Sequence, residues 1–307
     1  MFEALSMITG IVLAVMISLN GNLSAQFGAF PAAAIIHIVG LVVAGVCCLF
    51  QKEKKKLLGQ GSIWIYSGGA IGVLTTVFQN MAFGNISMTS IVALSLFGQT
   101  VMALVVDGLG LFGMRKQPFR FRVFIGVAFA LAGIVYMLDQ SVTSAILAVA
   151  VSFVSGIAIV LSRTACARLA EKTGALRSSL MSHLIGLPIT ILLALVLGSG
   201  GAPGTSAGFH PWVYLGGVLG VAVIFLCNLT VPRVPAFRLS ILSFVGQVFT
   251  GVILDVLFGG EYSQRTFIGG IVIAVGMGVY LLMEYIAGRK RTDVRSGEKA
   301  VSRKRDI

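Results

Sequence analysis

The sequence predicts an all-α integral membrane protein of ten transmembrane helices, arranged as two inverted five-helix repeats. Three observations carry that prediction. The 307 residues are 57% hydrophobic and only 11% charged, with a mean hydropathy of +0.97, a balance that excludes disorder and soluble enzyme cores. The apolar residues gather in ten stretches, each near the length of about 20 residues that a helix needs to cross a hydrocarbon core of about 30 Å. Residues of the first half recur in the second at a nearly constant offset.

The spans run approximately 4–23, 31–50, 63–83, 88–108 and 123–140, then 143–165, 178–198, 212–231, 236–258 and 266–287. The first opens on acidic Met1-Phe2-Glu3 and no A-x-A site follows it, so it reads as a span and not as a signal peptide. Trp64 and Trp212 each open a span at an interface, where amphipathic indoles prefer to sit. Uncharged turns such as Gly84-Asn85-Ile86-Ser87 alternate with basic loops such as Lys52-Glu53-Lys54-Lys55-Lys56 and the stretch from Arg115 to Arg122. With the amino terminus in the cytoplasm, 22 of the 23 Lys and Arg residues fall inside and only Arg265 falls outside, so both termini are expected to be cytoplasmic. The net charge of +12 is then a matter of topology, and nucleic acid is not an expected partner. Residues 288–307 form a basic tail, poor in apolar residues and expected to be disordered near anionic headgroups. Cys47, Cys48, Cys166 and Cys227 form no CxxC pair, so no disulfide framework, metal site or cofactor is indicated.

An offset of 146 places Gly10 on Gly156, Gly28-Ala29 on Gly174-Ala175, His37 on His183 and Gly40 on Gly186. An offset of 148 places Tyr66-x-Gly68-Gly69-x-x-Gly72-Val73 on Tyr214-x-Gly216-Gly217-x-x-Gly220-Val221, Asn80 on Asn228, Gly98-Gln99 on Gly246-Gln247 and Asp107 on Asp255. Phe124-Ile125-Gly126 matches Phe267-Ile268-Gly269 at 143. The chain thus divides near Ser141 into a first repeat, 1–140, and a second, 141–287. Five is odd, so the second copy starts on the opposite side of the membrane and is inverted, the architecture of alternating access.

This pattern resembles the drug/metabolite transporter superfamily. The signature G-Q-x7-D-x-x-G, here Gly98-Gln99 to Asp107 and Gly110, is similar to its YdcZ-type branch, as is Asn20-Gly21-Asn22-Leu23 followed by Gly28 and an alanine-rich second helix. The resemblance covers the chain to residue 287 and implies a bacterial inner-membrane protein. It also implies a central path lined by helices one to four and six to nine, and small organic solutes as cargo. The small multidrug exporters of the superfamily use a glutamate inside their first helix, whereas here the nearest acid is Glu3, before the span.

Polar groups in hydrocarbon are costly unless paired or wetted, so each asks for a reason. Gln99 and Gln247 stand roughly 16 Å into their spans, near the midplane, where an amide can hold an uncharged or zwitterionic solute. With Asn20, Asn22, Asn80 and Asn228 they are the candidate substrate-binding residues; the alternative for each is a structural interhelical hydrogen bond. Asn20, Asn22, His37 and Asn80 are expected in the outer half, His183 and Asn228 in the inner half. His37, His183, Asp107 and Asp255 are the candidates for gating or proton coupling, each aspartate meeting the histidine and asparagine of the other copy. The competing expectation pairs Asp107 with Arg115 or Lys116, and Asp255 with Arg265. Gly68-x-x-x-Gly72 and Gly216-x-x-x-Gly220 read as packing motifs. The expected function is a secondary transporter of a small organic metabolite, with a membrane enzyme and a channel or partner subunit as alternatives. No nucleophile elbow, HExxH or Walker motif is present, so no catalytic residue is assigned and energy must come from a proton or counter-solute gradient. Membrane lipids are expected partners, and a homodimer is left open.

Overall fold

The computed structural model describes residues 1–51, 56–59, 61–82, 85–86, 88–114, 116–117, 121–138, 145–198, 211–258 and 264–305, with backbone alone at 80, 88–89, 255–256, 258 and 288–305. Ten α-helices follow one another: α1 (Phe2–Phe27), α2 (Ala29–Leu49), α3 (Gly68–Ala82), α4 (Met88–Leu109), α5 (Phe121–Met137), α6 (Ile146–Thr173), α7 (Ala175–Leu197), α8 (Leu215–Thr230), α9 (Ala236–Phe258) and α10 (Gln264–Arg305). Eight of the described helical stretches are long and apolar enough to cross a membrane; α3 and α5 are shorter apolar helices. A 3₁₀ turn at Ile63–Tyr66 leads into α3 and brings the combined stretch to about 30 Å. Its counterpart at Pro211–Tyr214 leads into α8 in the same way, so Trp64 and Trp212 occupy equivalent turns.

Two glycines make the tightest connections. Gly28 and Gly174 are the single residues between α1 and α2 and between α6 and α7, at φ 84°, ψ 159° and φ 97°, ψ 150°, a region closed to side-chain-bearing residues. α6 departs from its sequence-predicted bounds, continuing to Thr173 where the apolar run ends near 165. Cys166-Ala167-Arg168-Leu169-Ala170-Glu171-Lys172 is rich in strong helix formers, so charge closes the hydropathy window without stopping the helix. The backbone of α10 likewise stays helical through Arg305, past residue 288, where regular structure is expected to stop; Lys and Arg make up much of that stretch and favour helix.

Packing links the two halves more than it consolidates either. The main neighbours of α1 are α8 and α9, those of α6 are α3 and α4, and α2 lies against α7 and α5 against α10. Exchanging each helix for the one five places away maps this network onto itself: α1 with α9 becomes α6 with α4, and α1 with α8 becomes α6 with α3. The correspondence extends to atoms. A Cβ added to Gly10 would strike the carbonyl oxygen of Ser243, and one on Gly156 that of Ser95. Gly246 and Gly98 are pressed in the same way against the carbonyls of Met7 and Phe153, and Gly217 and Gly69 against those of Ile36 and Ser182. Gly69 thus makes the closest backbone approach on α3, whereas Gly72 has ordinary room beside Ser162. The largest apolar core lies among α4, α5, α9 and α10, around Leu96, Val106, Met137, Ile241, Phe244 and Ile273.

Glu3, Glu171 and Glu284 pair with arginines. Arg238, near the start of α9, pairs with Glu3 of α1 at 2.6 Å and with Glu284 of α10 at 3.9 Å. Arg122 of α5 reaches Glu284 at 3.3 Å, and Arg168 of α6 pairs with Glu171 on its own helix.

Candidate functional site between α4, α6 and α8

Gln99 stands near the middle of α4 at 7% exposure, and its Oε1 accepts a hydrogen bond from Arg163 Nη1 at 3.4 Å. The contact depends on small residues. Gly156 and Gly98 let α6 and α4 touch backbone to backbone, and Arg163 lies two turns beyond Gly156 on α6. Ala167, one turn further, packs against Val223 and Cys227 of α8, so this stretch of α6 lies against both α4 and α8. Arg163 is ten residues from the α6 terminus at Thr173, about 15 Å along the axis. It takes part in none of the ion pairs among the described residues. From sequence this arginine counts among the loop cations; the unbroken run of helix formers to Thr173 was the signal that it belongs inside the bundle.

The two glutamines are not equivalent in their surroundings. Gln247 is half-buried, and its Nε2 donates to the Ser243 carbonyl of its own helix at 3.3 Å. Nothing like Arg163 faces it by repeat: the position that corresponds to Arg163 in α1 is Ile17.

The histidines meet each other. Expected in opposite halves, His37 of α2 and His183 of α7 pack edge to face with ring centroids 5.2 Å apart. Each ring covers a glycine of the partner helix, His183 over Gly40 and His37 over Gly186, and a Cβ on either glycine would strike the ring. Nδ1 of His37 and both ring nitrogens of His183 have no hydrogen-bond partner among the described residues. The pair therefore acts as a reciprocal packing lock in this conformation.

Asp107 does not meet His183, Asn228 or Lys116. Its two carboxylate oxygens accept the backbone N–H groups of Ala236 and Phe237, each at 2.8 Å, and so cap the first turn of α9. The orphan donors of a helix start explain this choice, since a carboxylate satisfies two of them at once. Asn228 Nδ2 donates to the Ala175 carbonyl at 2.8 Å, tying α8 to the start of α7, and its buried Oδ1 has no hydrogen-bond partner among the described residues. Asn20 sits against Gly216 of α8, its Oδ1 likewise without a partner among the described residues, and Asn22 is exposed and bonded to Ser18 of its own helix. The side chains of Asn80 and Asp255 lie outside the described residues.

Compared with known families, the chain matches the profile described as "Putative inner membrane exporter, YdcZ" over residues 1–136 and 147–280. The chain belongs to the YdcZ-type family of the drug/metabolite transporter superfamily. It is therefore a multi-pass membrane protein of an inner-membrane exporter family. No curated protein matches the chain. A solved structure described as "Crystal structure of protein" shares the fold, with a TM-score of 0.65 and 17% identity over 92% of this chain and 96% of its own. In this YdcZ-type chain each residue of G-Q-x7-D-x-x-G has a separate task. Gly98 admits α6, Gln99 meets Arg163, Asp107 caps α9, and Gly110 turns the chain after α4 at φ 66°.

Proposed function

We propose that the protein is a secondary transporter that moves a small organic solute across the inner membrane by alternating access, with two inverted repeats and both termini cytoplasmic. The observation that carries the reading is the duplicated crossing of α1 with α9 and of α6 with α4, glycine against carbonyl in both. Five spans per copy turn such a pair upside down relative to each other, and two equivalent clasps give two equivalent ways to close the bundle. The basic loops support the orientation.

Reconstitution tests both parts. Saturable solute movement in proteoliposomes that carries counter-solute in the other direction supports the transporter; unsaturable flux would favour a channel, and chemical change of a solute without movement an enzyme. For topology, Lys56→Cys in a background freed of the four native cysteines should react with an impermeant maleimide only after the membrane is opened. Labelling in intact cells would reverse the orientation.

A further inference from the structure

We propose that Arg163 and Gln99 recognise the negatively charged end of the solute, so that the cargo is a small organic anion carrying a carboxylate or a phosphate. The proposal deepens the transporter reading and rests on it. A guanidinium held within a spanning helix is costly unless an opposite charge or water compensates it. The acids whose contacts are described are engaged elsewhere: Asp107 on the start of α9, Glu3 and Glu284 on Arg238, and Glu171 on Arg168. What Arg163 has is a neutral amide oxygen at 3.4 Å, the long edge of a hydrogen bond.

Two further features separate this arginine from the topological cations. Arg163 stands about 15 Å before the end of α6, within a helix long and apolar enough to cross a membrane, and not in a connecting loop. The equivalent position in the first copy holds Ile17 in the same glycine-clasped scaffold, so the fold itself does not call for a cation there. Arg163 is also part-exposed while Gln99 beside it is buried. A planar fork of N–H donors matches a carboxylate or phosphate two bonds at a time, and the Gln99 amide can add a third.

The test uses the full chain purified in maltoside detergent and titrated with succinate, citrate and inorganic phosphate. Tetraphenylphosphonium serves as the cationic probe and phosphatidylglycerol as the lipid source of phosphate. Binding is read by thermal shift and calorimetry. At least one soluble anion should bind saturably, and Arg163→Gln should weaken it at least tenfold, with Arg163→Lys retaining part of the affinity. Gln99→Glu keeps size and shape but sets a carboxylate beside the guanidinium, so it should cost at least tenfold as well, and it reports even if Arg163→Gln fails to fold. The proposal is overturned if no soluble anion binds, if binding survives both substitutions, if only phosphatidylglycerol binds, or if only the cation binds. Anion binding without saturable flux of that anion in liposomes would leave the site standing and remove the transporter reading. Saturable flux of a neutral or cationic solute would do the opposite.

Discussion

Where α1 crosses α9, Gly10 and Gly246 press the helices together at Ser243 and Met7; where α6 crosses α4, Gly156 and Gly98 do the same at Ser95 and Phe153. Beyond those crossings the copies part. The α1–α9 crossing carries Ile17 and a Gln247 bonded to its own helix, the α6–α4 crossing Arg163 and a Gln99 bonded across to it. The two halves agree where a side chain would break the backbone contact, and differ at the position of Ile17 and Arg163, where the backbone contact leaves the side chain free to vary.

The strongest way to break that comparison is to refill the notches. Gly10→Ala and Gly156→Ala each drive a methyl into a carbonyl oxygen and should destabilise by about 3 kcal/mol, read as thermal unfolding in detergent. The two losses should be alike, and a difference of more than twofold would show that the crossings are not equivalent. Next in size is Asp107→Ala, which strands two buried N–H groups at the start of α9 and should cost about 2 kcal/mol. Asp107→Asn, which keeps one acceptor, should recover about half of that. A stability equal to that of the parent would remove the capping role.

The histidine lock offers a sharper test because it predicts compensation. Gly40→Ala should destabilise by about 1–2 kcal/mol by striking the His183 ring, and adding His183→Ala should restore part of the loss, since the second change vacates the space the first one fills. Gly186→Ala with His37→Ala should behave alike, and purely additive losses in both pairs would dissolve the lock. The smallest effect belongs to Gly21→Ala, which introduces the residue already present at the equivalent Ala167. A Cβ there meets nothing within 4 Å, so helix propensity alone should raise stability by up to about 1 kcal/mol. A clear loss would place an unseen neighbour at that point.

The spans and the repeat were legible because each is written as a period: apolar runs of fixed length, and glycines at a fixed offset. The partners of the polar residues were not. Asp107 looks toward α9, more than a hundred residues on, and a cap borrowed from another helix leaves no local trace in sequence. Arg163 was grouped with the basic inner loop although it falls within the predicted span 143–165, and α6 carries on for nearly three more turns. His37 and His183 were assigned to opposite halves from their distance along their spans. α2 and α7 pack along each other and bring the two rings together, and span counting resolves depth only to a turn or so.

The cross-clasped arrangement also sets an order of events during biosynthesis. The largest neighbours of α1 are α8 and α9, so when the ribosome has delivered the first five helices, the notch at Gly10 has no helix to fill it. The early half must wait in the bilayer with its interlocking surface turned to lipid until α9 arrives, and only then can α1 close. Each half is thus the template on which the other matures, and a ribosome stalled before residue 236 would leave a chain that has inserted but cannot yet have assembled.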